Sequence, residues 1–372
     1  MNNLYHAKKC FLSVIFAFLF AFNGFAQNDS IYIYKNASVI YRNAINKIDS
    51  IKFAENTSEK VLNIHFQDEI VFSQNVSEID SINFNPTEEE KEDILTGKNW
   101  MSKINDTISL RSISIPGTHD SGTSSGGGIL SSFAKCQNWN IETQLNNGIR
   151  FLDMRFKVQG ERLKVYHGIA EMDLWHDDFF NIVRQFLTDN PTETVIISIR
   201  NENDGANADE KLKFRQLLDT EMETNANKWI IGSGIPQLSE ARGKMILFRR
   251  YDGNKGINMF NGWSDNATFS ISGGRVQDVY SISGTSDNSI NSKWEHISAL
   301  LNEAYENNGN RFFVNFCSAN AGTLTTPKSV ADKINPKLQS FLDTAAKGSW
   351  GWILMDFPTE NLVRDIYLTN IP

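Results

Sequence analysis

Cysteine is scarce in this sequence, with three residues among 372, namely Cys10, Cys136 and Cys317. None of them falls in a Cys-x-x-Cys spacing or in a Cys/His cluster, which argues against a structural zinc site. If a leader peptide carrying Cys10 is removed, two cysteines remain. These could form a disulfide in an oxidising compartment or stay as two buried thiols, and both alternatives remain open at this point.

Positive charge is also in deficit. The chain has 36 lysines and arginines against 44 aspartates and glutamates, a formal net charge of -8. Proteins that bind nucleic acid in general depend on a basic surface that displaces counterions from the phosphates. We therefore expect no nucleic-acid partner.

Long apolar runs are limited to one, FLSVIFAFLFAF, which spans residues 11 to 22. It is short for a membrane span, and no second run of about 20 apolar residues follows it. Lys8 and Lys9 precede the run, and NGFAQ follows it with small Ala26 as a cleavage point. This pattern is typical of a secretory signal peptide. We expect residues 1–26 to be removed and the mature protein to be secreted or held at the cell surface.

An internal repeat follows the leader. YKNASVIYRNAINKIDSIKF (34 to 53) aligns with HFQDEIVFSQNVSEIDSINF (65 to 84) at an offset of 31 residues. Each copy has an alternating run, a polar break and a second short run, which predicts two hairpin-like units in a small β-rich module over residues 27–88. The module carries no cluster of catalytic residue types, so we interpret it as a spacer or a docking module for an unknown partner. The charged stretch at 85–100 reads as a linker.

From residue 95 to the end of the chain, strand-like and helix-like patterns alternate. The helical periods place one apolar face on residues 174–187 and another on residues 294–305. The candidate strands cover residues 112–116, 150–156, 163–168, 194–200, 244–250, 278–283, 312–318 and 352–357. Alternation of this kind over residues 95–372 predicts a (β/α) TIM-type barrel, either closed or distorted and open, with its site at the carboxyl ends of the strands.

Charged and histidine side chains recur at those strand ends. The first candidate strand runs into the stretch SISIPGTHDSGT, which places His119 and Asp120 at its mouth, and Asp153 and Arg155 are two apart and therefore share a face of their strand. The other strand ends carry His167, Arg200, Arg250 and Asp356. Such groups are costly inside a barrel unless they pair or bind something, and the planar fork of arginine fits phosphate. The set predicts a site for an anionic substrate, whereas His176 and His296, which lie in helical patterns, are interpreted as structural.

Eight motifs in these segments occur together and in order. They are IPGTHDSGT, NNGIRFLDMRF, VYHG, NPTETVIISIRNE, GKMILFRRY, GWSDNATF, VQDVY and GWILMDF. From about residue 100 to its end, the chain resembles the X domain of bacterial phosphatidylinositol-specific phospholipase C of the metal-independent type. The resemblance implies a lyase that cleaves phosphatidylinositol, or a glycosylphosphatidylinositol anchor, to diacylglycerol and cyclic inositol 1,2-phosphate, with no cofactor and no metal.

The resemblance also implies catalytic roles. His119 matches the general base, and Asp356 matches the carboxylate that orients its ring. His167 matches the general acid, which Asp120 supports. Arg155 matches the arginine that neutralises the phosphate, at a place where the calcium-dependent relatives carry a carboxylate ligand.

Further positions match the residues that contact the inositol headgroup in this family, namely Arg250, Asp278 and Tyr280. Arg200 stands where bacterial relatives commonly have a lysine, a change that keeps the charge and could alter headgroup preference. We expect Asp153 to contribute to the same subsite and Trp263 to line it. The partner implied is an inositol phosphate headgroup.

A lipid-cleaving enzyme also has to contact a phosphatidylinositol-containing membrane surface. The segment GGGILSSFAKCQNW (126 to 139) directly follows the His-Asp pair and places Ile129, Leu130 and Phe133 after a run of glycines. Apolar side chains in such a segment are typical of a shallow interfacial anchor. The alternative is that they pack on the barrel.

Two other functions fit parts of the same pattern. One is a metal-dependent glycerophosphodiester phosphodiesterase, which is also a barrel enzyme acting on phosphodiesters. The other is a weakly catalytic surface protein that only binds inositol phosphates. The arginine-rich set of strand ends disfavours the first alternative, and the presence of both histidines with both aspartates disfavours the second.

Overall fold

The structure is a computed structural model that describes residues 30–35, 38–44, 48–56, 59–83, 95–203, 205–322 and 325–371. The chain divides into two compact units, one ending at Ile94 and the other beginning at Leu95. The predicted signal peptide over residues 1–26 lies outside the described residues, as does most of the predicted linker.

The first unit contains two three-stranded antiparallel sheets. Its strands are β1 (Ser30–Lys35), β2 (Ser38–Ala44), β3 (Ser50–Asn56), β4 (Glu59–Phe66), β5 (Glu69–Asn75) and β6 (Ser81–Asn83). The strand order is β2-β1-β6 in one sheet and β3-β4-β5 in the other. The hairpins β1-β2 and β4-β5 lie at equivalent places in the two sequence repeats.

The third strand of each repeat pairs with the hairpin of the other repeat. In the first sheet Ser81 pairs with Tyr34, and in the second sheet Ser50 pairs with His65, which is the same register at the repeat offset. The apolar core follows the same symmetry and is formed by Ile31, Ile33, Leu62 and Ile64. Neither repeat therefore completes a three-stranded sheet with its own residues.

The second unit carries the strand and helix alternation. Its strands are β7 (Ile115–Thr118), β8 (Phe151–Gln159), β9 (Arg162–His167), β10 (Ala170–Trp175), β11 (Val195–Asn201), β12 (Trp229–Ile230), β13 (Met245–Arg250), β14 (Ile257–Asn258), β15 (Thr268–Ile271), β16 (Gly274–Gln277), β17 (Phe312–Phe316) and β18 (Trp352–Met355). Its helices are α1 (Ser131–Ala134), α2 (Ile141–Asn146), α3 (His176–Asp189), α4 (Ala208–Thr224), α5 (Leu238–Ala241), α6 (Asp287–Asn307), α7 (Pro327–Leu342) and α8 (Glu360–Leu368).

The central sheet has the strand order β12-β13-β11-β8-β7-β18-β17-β16-β15. Every pair from β12 to β16 is parallel, and β15 closes the series as an antiparallel neighbour of β16. Within the part of the chain that the structure describes, no pairing joins β12 to β15. The fold is therefore an incompletely closed (β/α) barrel, which confirms the predicted fold class.

Two predicted barrel strands are different in the structure. Residues 278–283 form no strand and make only an isolated parallel bridge, between Ser281 and Asn320, because the backbone N–H groups of Tyr280 and Ser281 donate to the Asn266 side chain. The strand at this place is β16, which ends at Gln277. The predicted strand at 163–168 is β9, but it pairs antiparallel with β8 and β10 and thus forms a hairpin attached to the barrel.

Aromatic rings fill the barrel below the strand ends. Phe151, Phe248, Phe312 and Trp352 are buried and contact one another, with ring centroids 5.3 to 5.7 Å apart. Gly274 on β16 leaves room for this cluster, since a Cβ atom there would lie 2.2 Å from the Phe312 ring. This packed layer supports the charged groups at the carboxyl ends.

The helices cover the outside of the sheet with most of the apolar faces that their periods predict. Leu174 of the first predicted face lies in β10 instead, and Tyr305 of the second is exposed. On α3 the residues Phe179, Val183 and Leu187 are buried, and on α6 the residues Ile297 and Leu301 are buried. Cys136 and Cys317 are two buried free thiols, so the disulfide alternative is wrong for this structure.

Candidate active site

His119 and Asp356 lie at the carboxyl ends of neighbouring strands. Thr118 of β7 pairs with Met355 of β18, so the residue after each strand is adjacent to the other. His119 Nδ1 lies 2.9 Å from Asp356 Oδ1. Burial by itself lowers the pKa of His119, but Asp356 and Asp120 outweigh it and the net pKa is raised. Since the bond to Asp356 occupies Nδ1, Nε2 is the ring nitrogen of His119 that remains available for proton transfer.

Asp120 lies at the centre of the site, although it has almost no exposed surface. Its Oδ1 is 2.9 Å from Arg155 Nε, and its Oδ2 lies 3.4 Å from His119 Nε2 and 3.6 Å from His167 Nε2. The backbone of Asp120 has φ +42°, a left-handed conformation that aspartate tolerates better than most residues. Both imidazoles therefore present Nε2 towards one carboxylate oxygen.

His167 ends β9 on the hairpin that is attached to the barrel. Its Nδ1 lies 2.8 Å from the carbonyl oxygen of Ala134, at the end of α1, and 3.9 Å from Cys136 Sγ. Its ring centroid is 6.4 Å from that of His119, with the rings nearly perpendicular. A backbone carbonyl can only accept a hydrogen bond, so Nδ1 of His167 carries a hydrogen. The other ring nitrogen, Nε2, faces Asp120.

Asp153 lies beneath the arginines and has no exposed surface. It contacts Arg155 Nη2 at 3.1 Å and Arg250 Nη1 at 3.3 Å, and it accepts a hydrogen bond from Ser198 Oγ at 3.1 Å. Burial raises the pKa of Asp153, but the two arginines outweigh it and the net pKa falls well below its usual range. We therefore interpret Asp153 as the counter-ion that orients both arginines, and the predicted direct contact with substrate stays unsupported by its position.

Three arginines lie at one level across three adjacent strands. Arg200 on β11 pairs in register with Arg155 on β8 and with Arg250 on β13. Burial lowers the pKa of Arg250, as do the like charges of Arg155 and Arg200, while Asp153 raises it. Positive charge is thus concentrated beside the two histidines, where an anionic group can bind.

Trp263 connects two of the predicted inositol-contacting residues. Its ring lies 3.6 Å below the guanidinium carbon of Arg250, and its Nε1 donates to Asp278 Oδ2 at 3.1 Å. Tyr280, in contrast, is more exposed and donates its hydroxyl to Asp265 Oδ1 at 2.8 Å. Trp263 therefore holds Arg250 and Asp278 in a fixed relation at the floor of the site.

One cavity of about 1120 Å³ opens at these strand ends. Nine of the predicted catalytic and headgroup-contacting residues line it, namely His119, Arg155, His167, Arg200, Arg250, Trp263, Asp278, Tyr280 and Asp356. Asp120 and Asp153 lie behind this lining. The structure thus brings together every predicted polar residue, from six segments that are separated by more than 20 residues along the chain.

Sequence reasoning missed several groups that hold the site together. The Ala134 carbonyl on His167 is a backbone group without a sequence signal, and Phe316 lies inside the predicted strand at 312–318 without a signal of its own. The Phe316 ring packs against the rings of His119 and Trp263, with centroids 6.0 and 6.1 Å away. Its position as the last residue of a strand whose neighbours end in site residues could have indicated this contact.

Donor atoms that could hold a metal also lie in this region. Three groups are close enough, namely His119 with Cys136 and Asp356, Asp120 with Cys136 and His167, and His119 with Asp120 and Asp153. Arg155 already forms ion pairs with both Asp120 and Asp153. A hard cation at those carboxylates would have to displace the guanidinium.

The segment 126–134 forms one rim of the cavity. Leu130 and Phe133 line the cavity, and Ile129 is 99% exposed. The segment packs on β10, where the Gly127 N–H donates to the Glu171 carbonyl at 2.7 Å. In the described residues, no helix has the length and apolarity to cross a bilayer.

A large part of the chain is similar to known proteins. The family model of the phosphatidylinositol-specific phospholipase C X domain matches residues 113–251. A 1-phosphatidylinositol phosphodiesterase of Staphylococcus aureus (strain Newman) is 30% identical over 285 residues, which cover 70% of this chain and 88% of that protein. The enzyme of the same name from Listeria monocytogenes is 28% identical over 288 residues, or 74% of this chain and 86% of that protein.

Solved structures of enzymes from the same two bacteria are similar to this chain. A crystal structure of the phosphatidylinositol-specific phospholipase C from Staphylococcus aureus superposes with a TM-score of 0.65 at 27% identity and covers 74% of this chain and 98% of its own. The structure of the Listeria monocytogenes enzyme gives a TM-score of 0.62 at 25% identity, covering 74% of this chain and 99% of its own. The chain belongs to the family of bacterial phosphatidylinositol-specific phospholipases C.

Proposed function

We propose that the second unit of this chain cleaves phosphatidylinositol by intramolecular transfer of the phosphoryl group. The inositol 2-hydroxyl attacks phosphorus, the bond from phosphorus to the glycerol oxygen breaks, and the products are diacylglycerol and cyclic inositol 1,2-phosphate. The observation that carries this proposal is the opposition of two imidazoles, His119 and His167, across Asp120 and Arg155. Such a displacement needs a base on one side of phosphorus and an acid on the other.

His119 is the proposed general base. Asp356 holds Nδ1, so Nε2 accepts the proton of the inositol 2-hydroxyl while the new bond to phosphorus forms. Asp356 and Asp120 raise the pKa of His119, because their negative charges stabilise the imidazolium that results. Asp356 thus fixes the tautomer and the ring orientation and stabilises the charged form of the base.

His167 is the proposed general acid. Its protonated ring has two N–H donors, of which Nδ1 donates to the Ala134 carbonyl. The Nε2–H is then directed to the glycerol oxygen, and it gives up its proton as the bond from phosphorus to that oxygen breaks. Without this proton the leaving group would depart as an alkoxide, which is a much poorer leaving group.

Arg155 is the proposed phosphate ligand. Its guanidinium is oriented by Asp120 and Asp153, and it lines the cavity between the histidines. The fork can contact two phosphoryl oxygens, and that contact strengthens as negative charge develops on them in the transition state. Asp120 also supports the general acid, because its Oδ2 lies 3.6 Å from Nε2 of His167.

The inositol ring is placed against Arg200, Arg250, Asp278 and Tyr280, which together with Trp263 line the other side of the cavity. The size of the cavity leaves room for a free headgroup and for one that carries a further substituent. The physiological substrate is therefore either phosphatidylinositol or a glycosylphosphatidylinositol anchor. The lipid part is presented by a membrane surface, which Ile129, Leu130 and Phe133 contact.

The leader sequence supports export of the protein to the outside of the cell or to its surface. The repeat module supports a separate docking unit over residues 27–88, since each of its sheets combines strands of both repeats. The catalytic unit would then act on lipid while the repeats hold the protein near its target.

The direct test is turnover of phosphatidylinositol in mixed micelles, with phosphorus NMR of the soluble product. A five-membered cyclic phosphate as the first product is expected. Inositol 1-phosphate formed without a cyclic precursor would contradict the proposed nucleophile. An enzyme that is active only with added metal would favour the alternative of a metal-dependent phosphodiesterase.

A further inference from the structure

Lys293 is a lysine of α6 whose side chain is completely buried. Its Nζ donates to the carbonyl oxygen of Val279 at 2.7 Å and to Gln277 Oε1 at 3.0 Å. Both acceptors are neutral. Burial lowers the pKa of Lys293 to about 8. A buried ammonium is costly unless its donors are satisfied, so an apolar residue would suit a purely structural position better.

The acceptors of Lys293 belong to a larger hydrogen-bonded network. Gln277 Oε1 also accepts the Val279 N–H at 2.8 Å, and Gln277 Nε2 donates to Asn315 Oδ1 at 2.9 Å. Asn315 Nδ2 in turn donates to the backbone carbonyl of Ile297 on α6 at 2.9 Å. The network thus fixes the carboxyl end of β16 against α6 and β17.

Asp278 lies between the two acceptors of Lys293 in sequence. The backbone leaves the sheet directly after Gln277, the last residue of β16. Gln277 and Val279 are bound to the α6 side, whereas Asp278 lines the cavity and accepts the Trp263 Nε1–H at 3.1 Å. Residues 277, 278 and 279 thus point alternately to α6, to the cavity and to α6. The Asp278 carboxylate therefore lies on the opposite side of the backbone from Lys293.

We propose that Lys293 is a positioning residue for the inositol subsite, holding the backbone on both sides of Asp278 so that this carboxylate meets the inositol hydroxyls. The inference rests on the proposed contact between Asp278 and inositol. Lysine suits the task because its long stem spans from α6 to the strand end and its ammonium serves two acceptors at once.

The test compares Lys293→Met, which has a similar volume and no donor, with Lys293→Gln, which keeps two N–H donors on a shorter stem. KM and kcat are measured with a soluble phosphodiester of myo-inositol, and Ki is measured for myo-inositol as a competitive inhibitor. In Lys293→Met both KM and Ki should rise about fivefold to tenfold, the effect of one lost hydrogen bond, while kcat changes less than about twofold. Lys293→Gln should lie between this variant and wild type.

Lys333→Met is the matched control. Lys333 is an exposed lysine of α7 that also donates to a backbone carbonyl of the same connection, that of Thr285, at 2.7 Å. Its loss should change neither KM nor Ki. A Lys293→Met protein with a lower melting temperature and unchanged KM and Ki would overturn the inference, since a merely structural lysine behaves in this way.

Two further variants distinguish a failure of the role proposed for Lys293 from a failure of the proposed contact between Asp278 and inositol. If Lys293→Met does not fold, Lys293→Gln decides: raised KM and Ki support the positioning role, and wild-type values overturn it. Asp278→Ala tests the premise, because raised Ki in this variant with unchanged Ki in both Lys293 variants overturns only the role of Lys293. Unchanged Ki in Asp278→Ala removes the proposed inositol contact and the inference together.

Discussion

The guanidinium of Arg155 lies 2.9 Å from the carboxylate of Asp120, the same carboxylate that both imidazoles approach. Burial lowers the pKa of Arg155, but Asp120 and Asp153 outweigh it and the net pKa is raised well above its usual value. The arginine is therefore fixed as a cation and oriented from below. A phosphate that enters the cavity meets a charge whose position is set before binding.

The shape of this cation should matter as much as its charge. In Arg155→Lys the charge remains, but the fork that meets two phosphoryl oxygens is lost. We expect kcat to fall about 100-fold and KM to change little, because the lost contact strengthens mainly in the transition state. Steady-state kinetics on mixed micelles gives both constants, and a rise in KM at constant kcat would contradict this role.

Arg155 should also decide whether the enzyme needs a metal. We expect wild-type activity to survive EDTA. Arg155→Asp places a third carboxylate beside Asp120 and Asp153, a set of oxygen ligands that suits a hard cation. This variant should have very low activity that millimolar calcium partly restores. A wild-type enzyme silenced by EDTA would favour the metal-dependent alternative.

The two histidines should respond differently to the leaving group. His119→Ala and His167→Ala should each lower turnover of phosphatidylinositol by about 10²- to 10⁴-fold, with the fold retained. An aryl phosphodiester of inositol has a good leaving group that needs little protonation. On this substrate His167→Ala should recover much more activity than His119→Ala. Equal losses on both substrates would show that the two roles are assigned incorrectly.

Asp356 should set the pH at which the base works. A base must be neutral, so kcat/KM rises as the pH passes upward through the pKa of His119, which is raised from 6.5 in the folded protein. Asp356→Asn removes one of the negative charges that raise this pKa. The acidic limb of the profile should therefore move to lower pH, and kcat should fall because the asparagine amide can donate to Nδ1 and so stabilise the wrong tautomer of the ring. An acidic limb at an unchanged pH would exclude His119 as the group that titrates.

The rim segment should matter only at a lipid surface. Ile129 and Phe133 are exposed, and burying such a side chain stabilises by about 1.5–3 kcal/mol. Ile129→Ser and Phe133→Ser should each lower binding to phosphatidylinositol vesicles about tenfold or more. Ile129→Ser should leave turnover of a soluble substrate unchanged, because Ile129 does not line the cavity. Leu212→Ser on α4 is the control, because Leu212 is also exposed and does not line the cavity. Equal vesicle binding by the rim variants and the control would place the membrane contact elsewhere.

The repeat module should be dispensable for the chemistry. A chain that begins at Glu90 retains all of the second unit, which starts at Leu95. We expect it to fold and to cleave a soluble substrate at the rate of the longer protein. Loss of folding or of soluble activity would show that the repeats are part of the catalytic body.

Several elements of the site could be predicted from the order of residues alone. The alternating run before His119 and the short apolar run before Asp356 indicate two strands that end at these residues, and parallel strands in a barrel bring such ends to one face. The same holds for Arg155, Arg200 and Arg250, which the structure places in one row across three strands. Their convergence follows from local patterns and from the rule that active sites lie at the carboxyl ends.

Other features depend on partners that a local pattern does not reveal. Residues 163–168 alternate like a barrel strand, but they form a hairpin with β8, because a strand pattern specifies which face is buried and leaves the pairing partner open. The exchange of β3 and β6 between the repeats also depends on a pairing partner that the strand pattern does not specify. Each strand could pair within its own repeat, and the register shows that it pairs with the other.

The sequence by itself determined the class of fold, the strand ends that bear charge and the chemical character of the site. Only the tertiary structure decided which groups support which. It placed Asp153 under the arginines, the Ala134 carbonyl on His167 and the Lys293 ammonium behind Asp278. The physical reason is that backbone carbonyls and buried polar partners have no periodicity. Their pairing is set by the distances between elements far apart in the chain, and those distances arise only when the sheet curls and the helices pack on it.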